Sequence, residues 1–205
     1  MIEISEHHRR LKDYYGPLLT EHGENYRGMG WVTEHLQTVR FEVLSAVGDI
    51  RGASILDVGC GSGHLLDWLV ERGYTGRYTG LEVQEDLVEH ARANHPASKF
   101  PDARFECGEF LEVAEDYRAE YVLASGIFPL ADMALLQRTV TAMFRSAETG
   151  AAFNCLSSFT PRRDPDFFMF ANPLEVMAFC TGLTKAFLFR HDYLPQDFTV
   201  YLYPE

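Results

Sequence analysis

The sequence predicts an α/β fold, a three-layer sandwich in which helices cover both faces of a mostly parallel sheet. Short apolar runs alternate with helical patterns through five units, which is the order that parallel strands with crossover helices require. The first run, residues 54–58, leads directly into a glycine-rich turn and a helix. Two last strands at 185–193 and 198–203, joined by Leu194-Pro195-Gln196-Asp197, predict an antiparallel hairpin at the end of the sheet.

The size and charge of the chain restrict its class. Its 205 residues match one ordinary domain with a sizeable core, so we expect a single domain. The formal net charge of -12 disfavours a nucleic-acid partner, because binding to a phosphate backbone depends on cationic side chains. No signal-peptide core and no apolar run of ~18 residues is visible, which predicts a cytoplasmic protein without a membrane partner. The four cysteines lack a Cys-x-x-Cys pair and are expected to be free thiols.

Residues 1–48 are predicted to form a helical entry segment, or lid, on a core of residues 49–205. A first helix is expected over 6–15, where Gly16-Pro17 ends it, and an amphipathic second helix over 33–47. Glycines between the two helices supply a flexible joint. Four residues lie off the apolar stripe of the second helix and either face a ligand or merely pack on the core. They are Trp31, Gln37, Arg40 and Phe41.

A glycine turn follows the first predicted strand, in the run Asp57-Val58-Gly59-Cys60-Gly61-Ser62-Gly63. Its glycines allow a sharp backbone turn and let a ligand approach without Cβ atoms in the way. The N–H groups of the helix that begins near His64 face the same space, so the turn indicates a nucleotide-like ligand. A dinucleotide fingerprint needs glycine where His64 stands, which disfavours a pyrophosphate ligand. A turn that only lets strand and helix pack closely is the alternative.

Three further strand ends carry residues suited to the same ligand. Glu82 ends the second strand, 19 residues after Gly63, where an acidic side chain accepts hydrogen bonds from ribose hydroxyls. The turn Gly108-Glu109-Phe110 follows the third strand, and Ser125 follows the fourth. Because the carboxyl ends of parallel strands meet at one edge of a sheet, these residues are expected to surround one site.

The run 57–63 resembles motif I of the class I S-adenosylmethionine-dependent methyltransferases, and the order of elements over about residues 31–205 resembles their seven-stranded Rossmann-like sheet. The resemblance implies S-adenosylmethionine as cofactor, with Glu109 at the adenine amino group and Phe110 covering the ring. The residues then expected to bind the cofactor are Trp31, Arg40, Asp57, Gly59, Cys60, Gly61, His64, Glu82, Val83, Gly108, Glu109, Phe110 and Ser125.

The entry segment and the end of the chain sharpen the resemblance. A Gly-Trp pair, a Gln-x-x-Arg-Phe helix and an ending like residues 190–201 are similar to a small group of methyltransferases without an assigned substrate. We expect residues 26–41 to close over the methionine end of the cofactor, with the glycines as a hinge. Arg40 would then meet the cofactor carboxylate, and Trp31 would shield the sulfonium.

The predicted function is methyl transfer from S-adenosylmethionine to a small-molecule acceptor, at oxygen or nitrogen, without a metal. The fourth strand end, Ser125-Gly126-Ile127-Phe128, departs from the Asn/Asp-Pro-Pro-aromatic pattern of enzymes that methylate DNA bases or glutamine, which disfavours those acceptors. The alternatives are a non-catalytic adenosylmethionine-binding regulatory domain and a NAD-dependent oxidoreductase, with aminopropyl transfer ranked lower. The acceptor and the oligomeric state stay open.

A general base is needed only if the acceptor is protonated. His191, at the end of the sixth strand, is the candidate catalytic residue, because an imidazole titrates near neutral pH. Its alternative role is to orient the hairpin through Asp192 or Asp197. The irregular stretch 158–168 is expected to carry the acceptor side of the site. Weaker candidates for the base are Ser125, Tyr14 and His22.

Overall fold

The computed structural model describes residues 2–23, 25–160 and 167–205. The strands are β1 (Ile55–Val58), β2 (Tyr78–Glu82), β3 (Ala103–Cys107), β4 (Ala119–Ala124), β5 (Ala147–Leu156), β6 (Phe187–Arg190) and β7 (Asp197–Leu202). The helices are α1 (Ile4–His22), α2 (Glu34–Ser45), α3 (His64–Glu71), α4 (Glu85–Asn94), α5 (Phe110–Val113), α6 (Met133–Ser146) and α7 (Pro173–Cys180). In these described ranges the seven strands form one sheet in the order β3-β2-β1-β4-β5-β7-β6.

The pairing of the strands confirms the predicted mixed sheet. Neighbouring strands from β3 to β5 pair in parallel, whereas β7 lies antiparallel between β5 and β6 as the C-terminal hairpin. β1 is central, since Ile55 is paired with Tyr78 of β2 on one side and with Tyr121 of β4 on the other. Every residue of β1 is buried, as a parallel strand covered on both faces requires. The carboxyl ends of β1, β2 and β4 therefore lie side by side.

Two apolar cores cover the two faces of the sheet. Leu56 and Val58 of β1 belong to one core, with α5, α6 and α7, while Ile55 belongs to the other, with α2, α3 and α4. Consecutive residues of a strand point to opposite faces, so this division confirms the three-layer sandwich. Truncating a fully buried leucine such as Leu136 of α6 to alanine is expected to cost about 2–5 kcal/mol. The four cysteines are free thiols, as expected.

Helix α1 extends farther than the sequence predicts. It passes through Gly16-Pro17 and ends at His22, where the N–H of Gly23 bonds to the carbonyl of Leu19 at 2.8 Å. An internal proline removes one intrahelical hydrogen bond and strains the preceding turn. Pro17 is nevertheless accommodated inside α1, so this local signal does not mark the end of the helix. None of the helices in the described ranges combines the length and the apolarity that a membrane span needs.

The irregular stretch after β5 is described only in part. Residues 158–160 continue from the sheet, and Ser158 N–H bonds to the carbonyl of Ala171 at 3.0 Å, shortly before α7. Residues 161–166 lie outside the described residues, and with them most of the stretch that we expect to carry the acceptor side. α7 begins as the sequence indicates, since the Asn172 side chain accepts a hydrogen bond from the N–H of Leu174.

Candidate active site

A cavity opens at the carboxyl edge of the sheet, where β1, β2 and β4 end. The glycine turn, the turn after β3 and the helices α1 and α2 form its walls. Most residues predicted to bind the cofactor line this cavity, and they are Trp31, Asp57, Gly59, Cys60, Gly61, His64, Glu82, Val83, Gly108, Glu109, Phe110 and Ser125. Within the described part of the chain, Arg40 and His191 are not among the lining residues.

The glycine turn is required by conformation and by space. Gly59, Gly61 and Gly63 have φ angles of 73°, 55° and 91°, a region that other residues rarely adopt. A Cβ atom on Gly59 would lie 2.3 Å from Cγ2 of Ile127, and one on Gly61 would lie 3.0 Å from Sδ of Met29. The turn therefore exposes backbone atoms without side chains to the cavity. Ile127 of the loop after β4 and Met29 of the entry segment lie next to these glycines.

Glu82 connects the end of β2 to the glycine turn. Its carboxylate accepts hydrogen bonds from the N–H groups of Gly61 at 3.1 Å, Val83 at 2.9 Å and Gln84 at 3.0 Å. Burial raises the pKa of Glu82 above its ordinary value, and the three backbone donors oppose this shift. A carboxylate has about four acceptor positions, so Glu82 can still accept a hydrogen bond from a ligand hydroxyl.

Asp57 is a second buried carboxyl group beside the turn. Burial raises its pKa to about 7, a hydrogen bond from the Tyr78 hydroxyl lowers it, and the charge of Glu82 raises it further. The Tyr78 hydroxyl oxygen lies 2.5 Å from Oδ2 of Asp57. Two carboxyl groups in a poorly solvated wall favour a ligand with positive charge, because such a ligand compensates for their lost hydration.

Glu109 and Phe110 lie at the turn after β3. The Glu109 side chain caps α5 by accepting a hydrogen bond from the N–H of Leu111 at 3.2 Å. Its other carboxylate oxygen contacts Nε2 of His8, which belongs to α1. Phe110 is buried in the core and also lines the cavity. Glu109 therefore caps α5, contacts α1 and lines the cavity.

Two residues of the entry segment, Gln37 and Trp31, line the cavity and contact other parts of its wall. Gln37 of α2 is buried, and its Nε2 lies 3.1 Å from Nδ1 of His64, the first residue of α3. The Trp31 ring lies over Gly126, where a Cβ atom would be 2.7 Å from Cη2 of the indole. The predicted approach of this segment to the site is thus present in the described residues.

The structure corrects the expected position of Arg40. Its guanidinium forms two hydrogen bonds to Asp197 at the start of β7, one of them at 3.1 Å, and a third to the carbonyl of Leu36 at 2.8 Å. It also lies 4.5 Å from the centre of the Trp31 ring. Asp197 is only 1% exposed and needs a cationic partner in that environment. Arg40 is therefore committed to Asp197 and supports Trp31, instead of facing a ligand carboxylate.

His191 lies outside the cavity lining, at the end of β6. Its Nε2 is 2.8 Å from Oγ of Ser157, which is fully buried at the end of β5. The imidazole is nearly parallel to the rings of Phe189 and Phe198, at centroid distances of 6.3 and 6.5 Å, and these two rings lie 5.3 Å from each other. This position does not support the catalytic hypothesis for His191. The alternative, that it orients the hairpin, fits the structure with Ser157 as its partner instead of Asp192 or Asp197.

The other candidate bases are divided between the cavity and its surroundings. Ser125 lines the cavity, and its Oγ lies 3.4 Å from Nδ2 of Asn154. The Tyr14 ring packs against Phe167 and Phe168, and His22 lies at the end of α1. Neither is among the described residues that line the cavity. Among the described residues no group of three or more His, Cys, Asp or Glu side chains is arranged to hold a metal ion.

Sequence reasoning missed the contribution of α1. His7, Leu11 and Tyr15 line the cavity from this helix, and Met29 joins them from the following loop. The available signal was their spacing of four residues, which places side chains on one helix face. That spacing did not indicate which part of the protein the face would cover, because the helix carries few apolar residues.

Sequence comparison with known proteins finds similarity to methyltransferases. A family model described as a methyltransferase domain matches residues 55–150. The Mycobacterium tuberculosis protein Rv1506c, which carries a provisional methyltransferase name, is 31% identical over 156 residues, covering 72% of this chain and 90% of that protein. A ubiquinone biosynthesis O-methyltransferase from Neisseria meningitidis is 30% identical over 80 residues, which are 39% of this chain and 33% of that one.

Solved structures of similar shape extend over nearly the whole chain. Magnesium protoporphyrin IX methyltransferase from Synechocystis PCC 6803 superposes with a TM-score of 0.69 at 13% identity, covering 95% of this chain and 98% of that one. A SAM-dependent methyltransferase from Archaeoglobus fulgidus gives 0.67 at 14% identity, covering 94% and 100%. At this identity the similarity establishes the fold, which is that of a class I methyltransferase. With the family match and the mycobacterial relative, the chain belongs to the S-adenosylmethionine-dependent methyltransferases.

Proposed function

We propose that this protein transfers the methyl group of S-adenosylmethionine to a small-molecule acceptor, at oxygen or nitrogen. The observation that carries the proposal is that the glycine turn, Glu82 and Glu109-Phe110 all line the same cavity. The cofactor supplies an activated methyl group on its sulfonium. The residues of the chain bind and orient the reactants and exclude water from them.

Each part of the cavity fits one part of this cofactor. The remaining acceptor position on Glu82 suits a ribose hydroxyl, and Glu109 with Phe110 suits the adenine amino group and ring. Gly59 and Gly61 leave room for the methionine end, where the carboxyl of Asp57 faces the positively charged groups. Trp31 covers this end from above. In this assignment Cys60, His64, Val83, Gly108 and Ser125 complete the wall.

The chain itself contributes mainly geometry to the reaction. Methyl transfer from a cation is an in-line displacement, so holding the reactants close and keeping water out supplies most of the acceleration. We propose residues 1–48 as the lid and 49–205 as the cofactor-binding core of one domain. Ser125 is the sequence-predicted base candidate that lines the cavity, and a general base is needed only for a protonated acceptor.

A small acceptor is favoured by the charge of the chain and by the names of its relatives. The net charge of -12 opposes a phosphate-backbone substrate. The Neisseria relative is named for ubiquinone biosynthesis and the Synechocystis enzyme for magnesium protoporphyrin IX, both of them small molecules. Neither of these molecules is thereby assigned to this protein.

The experiment that tests the proposal is incubation of the protein with methyl-labelled S-adenosylmethionine and fractionated cell extract. The expected result is label in a small metabolite, and no label when Gly61→Val replaces the wild type. Cofactor binding without label in any fraction would favour the regulatory domain instead. Binding of NADH in a fluorescence titration, with none of S-adenosylhomocysteine, would favour the oxidoreductase.

A further inference from the structure

His7 lies on α1, the helix that covers the cavity, and the described residues provide no hydrogen-bond partner for one of its ring nitrogens. Its Nε2 is buried, and among the described residues it has no hydrogen-bond partner. The same side chain lines the cavity. Buried polar atoms are nearly always paired, so an unpaired one at the wall of a ligand cavity calls for a ligand group. The indole nitrogen of Trp68, also unpaired, does not line the cavity.

Contacts of α1, and of Ile2 just before it, place His7 near the turn after β3. His8 contacts the carboxylate of Glu109, and the N–H of Ile2 donates a hydrogen bond to Oδ2 of Asp132 at 2.5 Å. These two contacts lie on either side of His7 along the chain. Burial lowers the pKa of His7, with the charge of Glu109 opposing, so the imidazole is neutral at pH 7. A neutral imidazole has one donor and one acceptor nitrogen.

Helix α1 runs along the length of the cavity. His7, Leu11 and Tyr15 line it at intervals of four residues, and the rise of an α-helix places His7 and Tyr15 about 12 Å apart. Tyr15 lies at the other end, where a Cβ atom on Gly30 would be 3.1 Å from its Cε1. Burial raises the pKa of Tyr15, and the nearby charges of Tyr14 and Glu82 raise it further.

We propose that His7 is a further cofactor-binding residue, whose Nε2 forms a hydrogen bond with the adenine ring when α1 covers the bound cofactor. This inference rests on the proposed function, which places adenine at Glu109 and Phe110. The neutral imidazole matches the edge of an uncharged adenine, which presents an acceptor ring nitrogen beside a donor amino group. Leu11 then covers the sugar, and Tyr15 bounds the end where the methyl group is transferred.

The test is calorimetric titration of His7→Leu with two ligands, S-adenosylhomocysteine and 5′-methylthioadenosine, which retains adenosine but lacks the amino-acid part. We expect binding of both to weaken by the same factor, about three- to tenfold, as for one neutral hydrogen bond. The melting temperature of the ligand-free protein is expected not to fall, because the substitution removes an unpaired buried atom. His7→Gln, whose amide can reach a similar position, should regain most of the affinity.

His35→Leu is the matched control, since His35 is exposed on α2 and does not line the cavity. Its affinities should equal those of the wild type. The inference is overturned if His7→Leu binds both ligands normally, or if only S-adenosylhomocysteine binds more weakly. If the wild type binds neither ligand, the proposed function fails as well, so the two failures are distinguishable.

Discussion

Glu82 and Asp57 lie on either side of the glycine turn, and their hydrogen bonds give them different roles. Glu82 accepts three backbone N–H groups, so it holds the turn in place as well as facing the cavity. Asp57 accepts one hydrogen bond, from the Tyr78 hydroxyl, and burial raises its pKa to about 7. Its charge near neutral pH therefore depends on neighbouring charged groups. The sequence predicted both residues at the site but gave no sign of this division.

Replacing Glu82 with alanine should therefore affect both binding and folding. The loss of hydrogen bonds to a charged group is expected to weaken S-adenosylhomocysteine by about 1.5–3 kcal/mol, or one to two decades. The free energy of unfolding should fall by about 1–3 kcal/mol, because buried N–H groups lose their acceptor. Calorimetry and thermal unfolding measure the two effects, with Glu85→Ala, at an exposed position of α4, as control. An unchanged dissociation constant would place the ribose elsewhere.

Asp57 predicts a pH dependence of cofactor binding. With a pKa of about 7, its carboxyl is mostly protonated at pH 6 and mostly ionised at pH 8. The ionised form attracts the ammonium group of the ligand, so the affinity for S-adenosylhomocysteine should rise by up to about tenfold across this range. Asp57→Asn should remove this rise while leaving the protein folded. The same pH profile in wild type and variant would assign the titration to another group.

Ionisation of Asp57 has the opposite effect on folding stability, which falls as the pH rises. In the unfolded chain Asp57 ionises near the ordinary aspartate pKa of 3.8, whereas the folded protein keeps the proton up to about pH 7. The folded state thus binds more protons between these values, and the contribution of Asp57 to stability falls as pH rises through that window. Above pH 7 the contribution is constant and unfavourable. Ligand-free Asp57→Asn should consequently lose less stability between pH 5 and 7 than the wild type, by thermal unfolding.

At the scale of elements, the pairing of α2 with β7 explains why Arg40 could not be placed from the sequence. Its partner Asp197 is 157 residues away along the chain, and no local pattern joins the two. Strand β1, the glycine turn and the cap of α7 could be predicted, because apolar runs, positive φ angles and capping residues act over a few neighbours. The position of α1 on the core could not, since its contacts, such as His8 with Glu109 and Tyr14 with Phe168, join residues that are distant in sequence.

Breaking the Arg40–Asp197 pair should be costly. Arg40→Ala leaves the buried carboxylate of Asp197 without its cation, which is expected to lower the free energy of unfolding by about 3–5 kcal/mol. Replacing both partners, as in Arg40→Met with Asp197→Leu, should recover most of this loss. Arg9→Ala removes an exposed pair with Glu6 and should leave the midpoint of denaturant unfolding nearly unchanged, because solvent screens such a pair. A loss for Arg40→Ala as small as for Arg9→Ala would contradict the account.

The entry segment should become less mobile when the cofactor binds. Residues 26–41 and helix α1 border the cavity, and Gly30 has a φ of 78° that suits a hinge. Backbone hydrogen exchange in both stretches is expected to slow after addition of S-adenosylhomocysteine, because a ligand beneath them adds contacts. Helix α7, which does not line the cavity, serves as the internal reference. Equal exchange with and without ligand would leave these stretches as fixed structure.

At the scale of the whole molecule, the sheet order explains why residues from distant parts of the chain meet at one cavity. Parallel pairing of β2, β1 and β4 aligns their carboxyl ends, and the crossover helices return each strand in the same direction. The position of the site could therefore be predicted from the alternation of strands and helices. The lid itself was expected over residues 1–48, but the side chains with which α1 lines the cavity could not be predicted, because their contacts depend on the folded surface of the core.

The most direct test of the central claim is calorimetric titration of the folded protein with S-adenosylhomocysteine, comparing the wild type with Gly61→Val and Gly52→Ala. Gly61 has a φ of 55° and lines the cavity, whereas a Cβ atom on Gly52 meets nothing within 4 Å. We predict saturable binding by the wild type and Gly52→Ala, and loss of binding by Gly61→Val with its secondary structure retained. A folded wild type that shows no binding at millimolar ligand would contradict the account.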